Sequence, residues 1–216
     1  MMAFGEVGTS LSKVKANSLN LAGTYGFSGT VSGLADETPL VLISTFTSDG
    51  SDATASFTSG IDSTYKEYLF VFNNIHPETN NVYFSFQCST DSGSNYNTAV
   101  TSTWSAAFHN ENDGSAGLEY GTGNDQAQGT SFQYLAQTTG NENDESCSGI
   151  FRLYNPSSTT FVKHFMARTN NYISNDVQMD ALIAGYFNTT SAIDAIQFKM
   201  SSGEIQGGTI DMFGVV

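Results

Sequence analysis

The residues most capable of chemistry in this chain are few and scattered. Its three histidines stand far apart, at His76, His109 and His164. His76 lies in the polar insert NIHPETNN between the aromatic runs FVF and VYFSF, beside Pro77 and Glu78. Pro77 fixes its own φ and biases His76 toward extended backbone, while Asn80 and Asn81 accept the positive φ of a tight turn. The insert therefore reads as the end of a hairpin, with turn chemistry in place of catalysis or metal binding. His109 ends one apolar run and His164 sits inside another, so a three-histidine site would have to be assembled from separate strands.

Acidic clusters are the other candidates. NEND occurs at Asn110–Asp113 and again at Asn141–Asp144, and DSGSN spans Asp91–Asn95. Oxygen side chains spaced around a glycine are what a Ca²⁺ loop uses, because the ion takes about six to eight hard oxygen ligands. None of the clusters has full EF-hand spacing, and Asn, Asp, Ser and Gly equally satisfy turns through local hydrogen bonds. Facing carboxylates of a glycosidase are not singled out by acids this common in turns. There is no GxSxG elbow, P-loop, HExxH helix or paired-cysteine zinc motif, and GTGNDQ at Gly121 lacks the third glycine of a dinucleotide loop. No catalytic, cofactor-binding or metal-ligating residue is assigned, and the expectation is a protein that is not an enzyme and needs no cofactor.

The elements around these residues read as strands. In 216 residues, sixteen Phe, ten Tyr and one Trp supply a core, and a chain of this length buries roughly 70% of its unfolded-state surface. Short apolar segments recur from Pro39 onward between Gly, Asn, Asp and Ser clusters. Strands are expected near 39–47, 53–58, 66–73, 82–88, 99–108, 131–138, 147–155, 160–168, 178–188, 193–200 and 208–215. Val100, Trp104, Ala106 and Phe108 share one face opposite Thr101, Thr103, Ser105 and His109, making Trp104 a core residue and not a sugar platform. Ile196, Phe198 and Met200 likewise oppose Gln197 and Lys199. YLFVF, from Tyr68 to Phe72, is apolar on both faces and belongs at the centre of a sheet. The pattern predicts an all-β fold, an antiparallel β-sandwich of the jelly-roll kind over residues 36–216. Residues 1–35 are Gly, Ser and Thr rich, too sparse in apolar residues for a core, and read as an attachment or stem segment.

Charge narrows the partners. Charged residues make up 13% of the chain, seven Lys plus Arg against twenty-one Asp plus Glu, for a formal net charge of −14. Such a field repels phosphate backbones and anionic lipid, so nucleic-acid binding and membrane insertion are not expected. MMAFGEVGTSLSK lacks a basic region followed by an apolar core, so the chain is expected to be made in the cytoplasm and stay soluble. The sequon at Asn188 is then silent. Cys88 and Cys147 read as two buried thiols; whether they instead form a disulfide is left open by their spacing.

The segments IDSTYKEYLFVFNNIHPETNNVYFSFQCSTDSGSNYN, LYNPSSTTFVKHF and AGYFNTTSAIDAIQFKMSSGEIQGGTIDMFGV together resemble virion structural proteins of tailed bacteriophages, particularly marine and cyanobacterial phages. LAGTYGFSGTVSG is similar to stem-proximal repeats of phage fibres. The resemblance covers about Pro39 to Val216 and carries no enzymatic residues. It implies a β-sandwich particle component, a fibre or decoration protein outside the tail or capsid, located in the virion. Its partners would be itself, as a homotrimer, and other virion proteins, with host-surface glycans as a further contact aiding attachment. The alternatives are a lectin-like carbohydrate-binding module using the acidic loops and exposed Tyr and, less favoured, a glycan depolymerase.

Overall fold

Two layers of antiparallel strands face each other across a phenylalanine-rich core in the computed structural model, which describes residues 39–216. The strands, in chain order, are β1 (Leu40–Thr47), β2 (Ala55–Phe57), β3 (Glu67–Pro77), β4 (Val82–Ser89), β5 (Val100–Asn110), β6 (Ala116–Tyr120) and β7 (Ala127–Gly129). They continue as β8 (Gln133–Thr139), β9 (Cys147–Tyr154), β10 (Lys163–Ile173), β11 (Val177–Phe187), β12 (Ala195–Met200) and β13 (Ile205–Val215). The expected attachment segment, residues 1–35, lies outside the described residues.

One layer contains β1-β13-β3-β9 and the other β8-β4-β12-β2. The chain crosses between layers from β1 to β2, β2 to β3, β3 to β4, β4 to β5, β7 to β8, β8 to β9, β11 to β12 and β12 to β13. That connectivity is a jelly roll. The remaining strands widen the first layer: β10 pairs with β9, β11 with β10, and β5 with β11, while β6 and β7 share the far edge of β5. A single bridge, Ile173 to Thr139, joins the layers where β10 meets β8.

The inner faces explain this arrangement. Alternation puts Phe70 and Phe72 of β3, Phe151 of β9, Phe165 of β10 and Phe187 of β11 on the same side of the wide layer, all essentially inaccessible to solvent. Phe57, Phe84, Phe86 and Phe198 answer from the small layer. Phe198 lies 5.2 Å from Phe72 and 5.4 Å from Phe70, and Phe86 lies 4.5 Å from Phe151 and 5.1 Å from Phe165. These edge-on and tilted contacts are the geometry in which aromatic quadrupoles attract beyond simple burial. YLFVF is central, with β3 between β13 and β9, and Leu69 on its outer face is also buried. Trp104 is fully buried, as its alternation requires.

Several readings of the sequence are corrected. β3 and β4 do not form a hairpin: β3 pairs with β13 and β9, and β4 with β12 and β8, so NIHPETNN is an arch between layers. β3 also runs on to Pro77 instead of stopping at Asn73, bulged at Asn74, whose φ is 51°. Gly208 of β13 fits against this bulge with a φ of 104°, where a Cβ would lie 2.5 Å from the Asn74 carbonyl oxygen. Of the two asparagines in the arch, Asn81 alone has positive φ. β10 begins at Lys163 and extends to Ile173, leaving Phe161 exposed before it. The short strands β6 and β7 were not expected at all.

Phe198 touches the rings of Phe57, Phe70, Phe72, Phe84, Phe86 and Phe151. Phe198→Ala is expected to lower unfolding stability by about 3–5 kcal/mol, whereas Phe161→Ala, at a residue 70% exposed, should change it by less than about 0.5 kcal/mol. Urea denaturation of the two variants checks the difference.

Candidate functional site

The chemically capable side chains do not converge. His76 sits at the end of β3, half-buried, with Nδ1 2.6 Å from the Glu145 backbone oxygen. This contact ties the β3–β4 arch to the β8–β9 loop. Asn141 strengthens the same tie by donating its side-chain amide to the Glu78 carbonyl at 2.8 Å. His109 is exposed beside Asp113 at 3.2 Å, four residues on in the β5–β6 turn. His164 faces outward from β10 against the ring of Tyr186. Among the described residues, no group of three or more His, Cys, Asp or Glu is arranged to hold a metal ion.

The three polar clusters are tied into their own turns by local hydrogen bonds. Asp91 accepts from Ser89 Oγ and the Asn95 backbone amide on one oxygen, and from Asn95 Nδ2 on the other. The Asn95 and Ser89 hydrogen bonds hold its carboxyl below the usual range. Ser92 and Gly93 take positive φ, and Asp194 caps the turn by accepting from the Ser92 amide. In the first NEND, Asn112 accepts from the Gly114 amide and Asp113 turns through positive φ. In the second, the Glu142 amide donates to the buried Glu145 carboxylate. Side-chain turn geometry accounts for all three.

Cys88 in β4 and Cys147 in β9 are free, buried thiols on different layers. Burial raises both thiols, Cys88 well above its ordinary range and Cys147 to about 12. A thiol held neutral and out of solvent is neither a nucleophile nor a metal ligand.

Lys163, a residue the sequence did not flag, is completely buried at the start of β10, and its ammonium donates to the Thr189 carbonyl at 3.1 Å. Desolvation lowers its pKa. Buried polar side chains also line the seam between β10 and β8, where Thr169 donates to the Leu135 carbonyl and Asn171 to the Gln137 carbonyl. These groups satisfy backbone acceptors where the layers part.

What is organised is the surface of each layer. On the outer face of the wide layer, Ile150, Arg152, Tyr154, Met166, Arg168 and Leu182 surround a shallow groove of about 310 Å³. Both arginines of the chain are here, Arg152 against Glu67 and Arg168 bridging Asp180 through two nitrogens at 2.7 and 2.8 Å. On the outer face of the small layer, Tyr83 and Tyr134 stack at 4.4 Å, and the Lys199 ammonium lies 4.3 Å from the Phe132 ring centre. The aromatic residues of this second surface carry no sequence motif. They become a group only because β4, β8 and β12 lie side by side.

Comparison with protein-family models, with curated proteins and with solved structures gives no match to this chain.

Two expectations follow. Iodoacetamide at pH 8 should leave both cysteines unmodified in the folded protein and alkylate both in urea, as mass spectrometry would record. Because no group of three or more acidic or metal-ligating side chains converges among the described residues, adding Ca²⁺ or a chelator should leave the melting temperature unchanged.

Proposed function

We propose that this chain is a non-enzymatic structural component of a tailed-phage virion, of the fibre or decoration type, whose domain associates with other copies of itself through the outer face of the wide layer. The reading rests on the sequence resemblance together with one observation, the exposed apolar band on that face. Met166 is 55% exposed, Leu182 53% and Leu118 87%. Register places Ile150 and Leu182 on either side of Arg168, and Leu118 opposite Ala107. Strands β10, β11, β5 and β6, added to the eight jelly-roll strands, create most of this surface.

A folded monomer seldom leaves a large contiguous apolar patch in water, and such patches mark contact surfaces. Identical copies each carrying a net charge of −14 repel one another, so their contact must come from apolar area and from locally neutralised charge. Arg152 and Arg168, each paired with its own carboxylate, supply such neutral polar contacts, and arginine is favoured at interfaces over lysine. A stable interface needs about 800 Å² per partner, an area that a face four or more strands wide can offer. In this reading the copies form a threefold assembly, with residues 1–35 as its stem or its attachment to the particle.

The full chain should sediment as a homo-oligomer, and Leu182→Glu combined with Met166→Glu should convert it to a monomer with unchanged far-UV circular dichroism. Antibody raised against the full chain should label the outside of phage particles in electron micrographs. A wild-type chain that is monomeric at every concentration tested, or particles without label, would overturn the proposal.

A further inference from the structure

We infer that the depression between the Gly123–Gln126 loop and the start of β8 is a subsite for one neutral pyranose ring of a glycan. The inference stands apart from the assembly proposal: the depression lies between the β6–β7 loop and the start of β8, shares no lining residue with the groove around Arg152 and Arg168, and needs only one copy of the chain. The depression is about 260 Å³ and is lined by Asn124, Asp125, Gln126, Ser131, Phe132 and Tyr134. Drug-sized clefts run from roughly 300 to 1,000 Å³, so this one suits a single small ring.

Its aromatic wall is braced before any ligand arrives. Tyr134 is stacked on Tyr83 with 29° between the planes. Phe132 is held under the Lys199 ammonium. In register, Tyr134 lies opposite Ser85 of β4, and Ser85 lies opposite Lys199 of β12. Ser85 and Gln87 on this face are themselves buried, covered by the larger side chains around them. Gln87 also holds the start of β8 by donating to the Ser131 carbonyl at 2.9 Å. Rings fixed in this way lose little conformational entropy when something stacks on them.

The polar wall is equally fixed. Tyr120 donates to one oxygen of Asp125 at 2.6 Å, which orients the carboxylate and leaves its other oxygen without a protein hydrogen bond. Asn124 is held through its side chain and its backbone, the side-chain amide donating to Gln137 Oε1 at 2.6 Å and the backbone carbonyl accepting from Gln133 Nε2 at 2.7 Å. Gln126 closes the loop by donating to the Ser131 carbonyl at 3.0 Å.

An aromatic wall facing fixed hydrogen-bonding groups matches a ring with one apolar C–H face and a rim of hydroxyls, and that is a pyranose. Charge selects against other ligands of the same size. Asp125, together with the net charge of −14, disfavours phosphate, sulfate and carboxylate groups. Lys199, already seated on Phe132, disfavours an organic cation on the same ring. One such subsite is weak by itself, and repetition over several copies would raise its avidity.

The test is saturation-transfer NMR on the full chain with the methyl pyranosides of glucose, galactose, mannose and N-acetylglucosamine, and with glucose 6-phosphate as the anionic probe. Transfer to the ring C–H protons of at least one neutral pyranoside is expected, with less to the phosphate. It should fall to background in Asp125→Ala, at a half-buried loop position, and in Tyr134→Ala, and should persist in Phe161→Ala, at an exposed residue that lines neither surface. Melting curves establish that each variant is folded; if Tyr134→Ala is not, Asp125→Ala alone decides. No transfer to any neutral pyranoside, a preference for the phosphate, or transfer that survives Asp125→Ala would each overturn the inference. A monomeric chain can still pass this test, so its outcome is separable from that of the assembly experiment.

Discussion

The whole domain depends on closing two sheets over one layer of phenylalanine rings. Phe198 stands at its centre, meeting rings contributed by β2, β3, β4 and β9. Those strands are distant in sequence from β12, which carries Phe198, so the ring layer is built from long-range contacts and is complete only when both sheets are present. Once the aromatic face of each strand must point into this layer, the opposite faces are committed to the exterior. The two outer surfaces are consequences of the core.

Low charge content shapes how the rest is held. With 13% charged residues, the protein closes its loops by side-chain to backbone hydrogen bonds instead of ion pairs, as around Asp91, Asn112 and Glu145. Surface ion pairs contribute little to stability in any case, typically under about 1 kcal/mol. Four of the seven Lys and Arg residues are tied to specific partners: Arg152 and Arg168 on the wide outer face, Lys199 over Phe132, and Lys163 inside against a carbonyl. The wide face therefore combines exposed aliphatic side chains with neutralised charge, and the small face combines braced aromatic rings with amides and a carboxylate. Surfaces so different in chemistry are the basis of the two proposals, copies of the same chain for one and a hydroxyl-rich ligand for the other.

The sequence by itself determined which side chains face inward and that the fold is an antiparallel sandwich, because the two-residue period of a strand is a local property that alternation displays directly. Val100, Trp104 and Ala106, and likewise Ile196, Phe198 and Met200, are buried where alternation puts them. The jelly-roll class was legible for the same reason, along with the turn character of the Asn and Asp clusters. Local chemistry misled where polar residues lie inside. RTNNYI looks like loop, yet Thr169 and Asn171 are buried in β10, because carbonyls of β8 accept their hydrogen bonds. β6 and β7 show little apolar alternation and exist as strands because β5 offers them a free edge.

Tertiary structure alone decided which strands pair. The arch at NIHPETNN could not be told from a hairpin in sequence, because turn residues specify a reversal of the chain and not the sheet in which it resumes. Burial of Phe84 and Phe86 against Phe72 and Phe151 across the core sends β4 to the opposite layer. His76 then becomes a clasp on the β8–β9 loop instead of a hairpin tip. The grouping of Phe132, Tyr134, Tyr83 and Lys199 has the same origin. Residues about fifty to seventy positions apart meet only when the strands that carry them become neighbours, and that choice is made by the core.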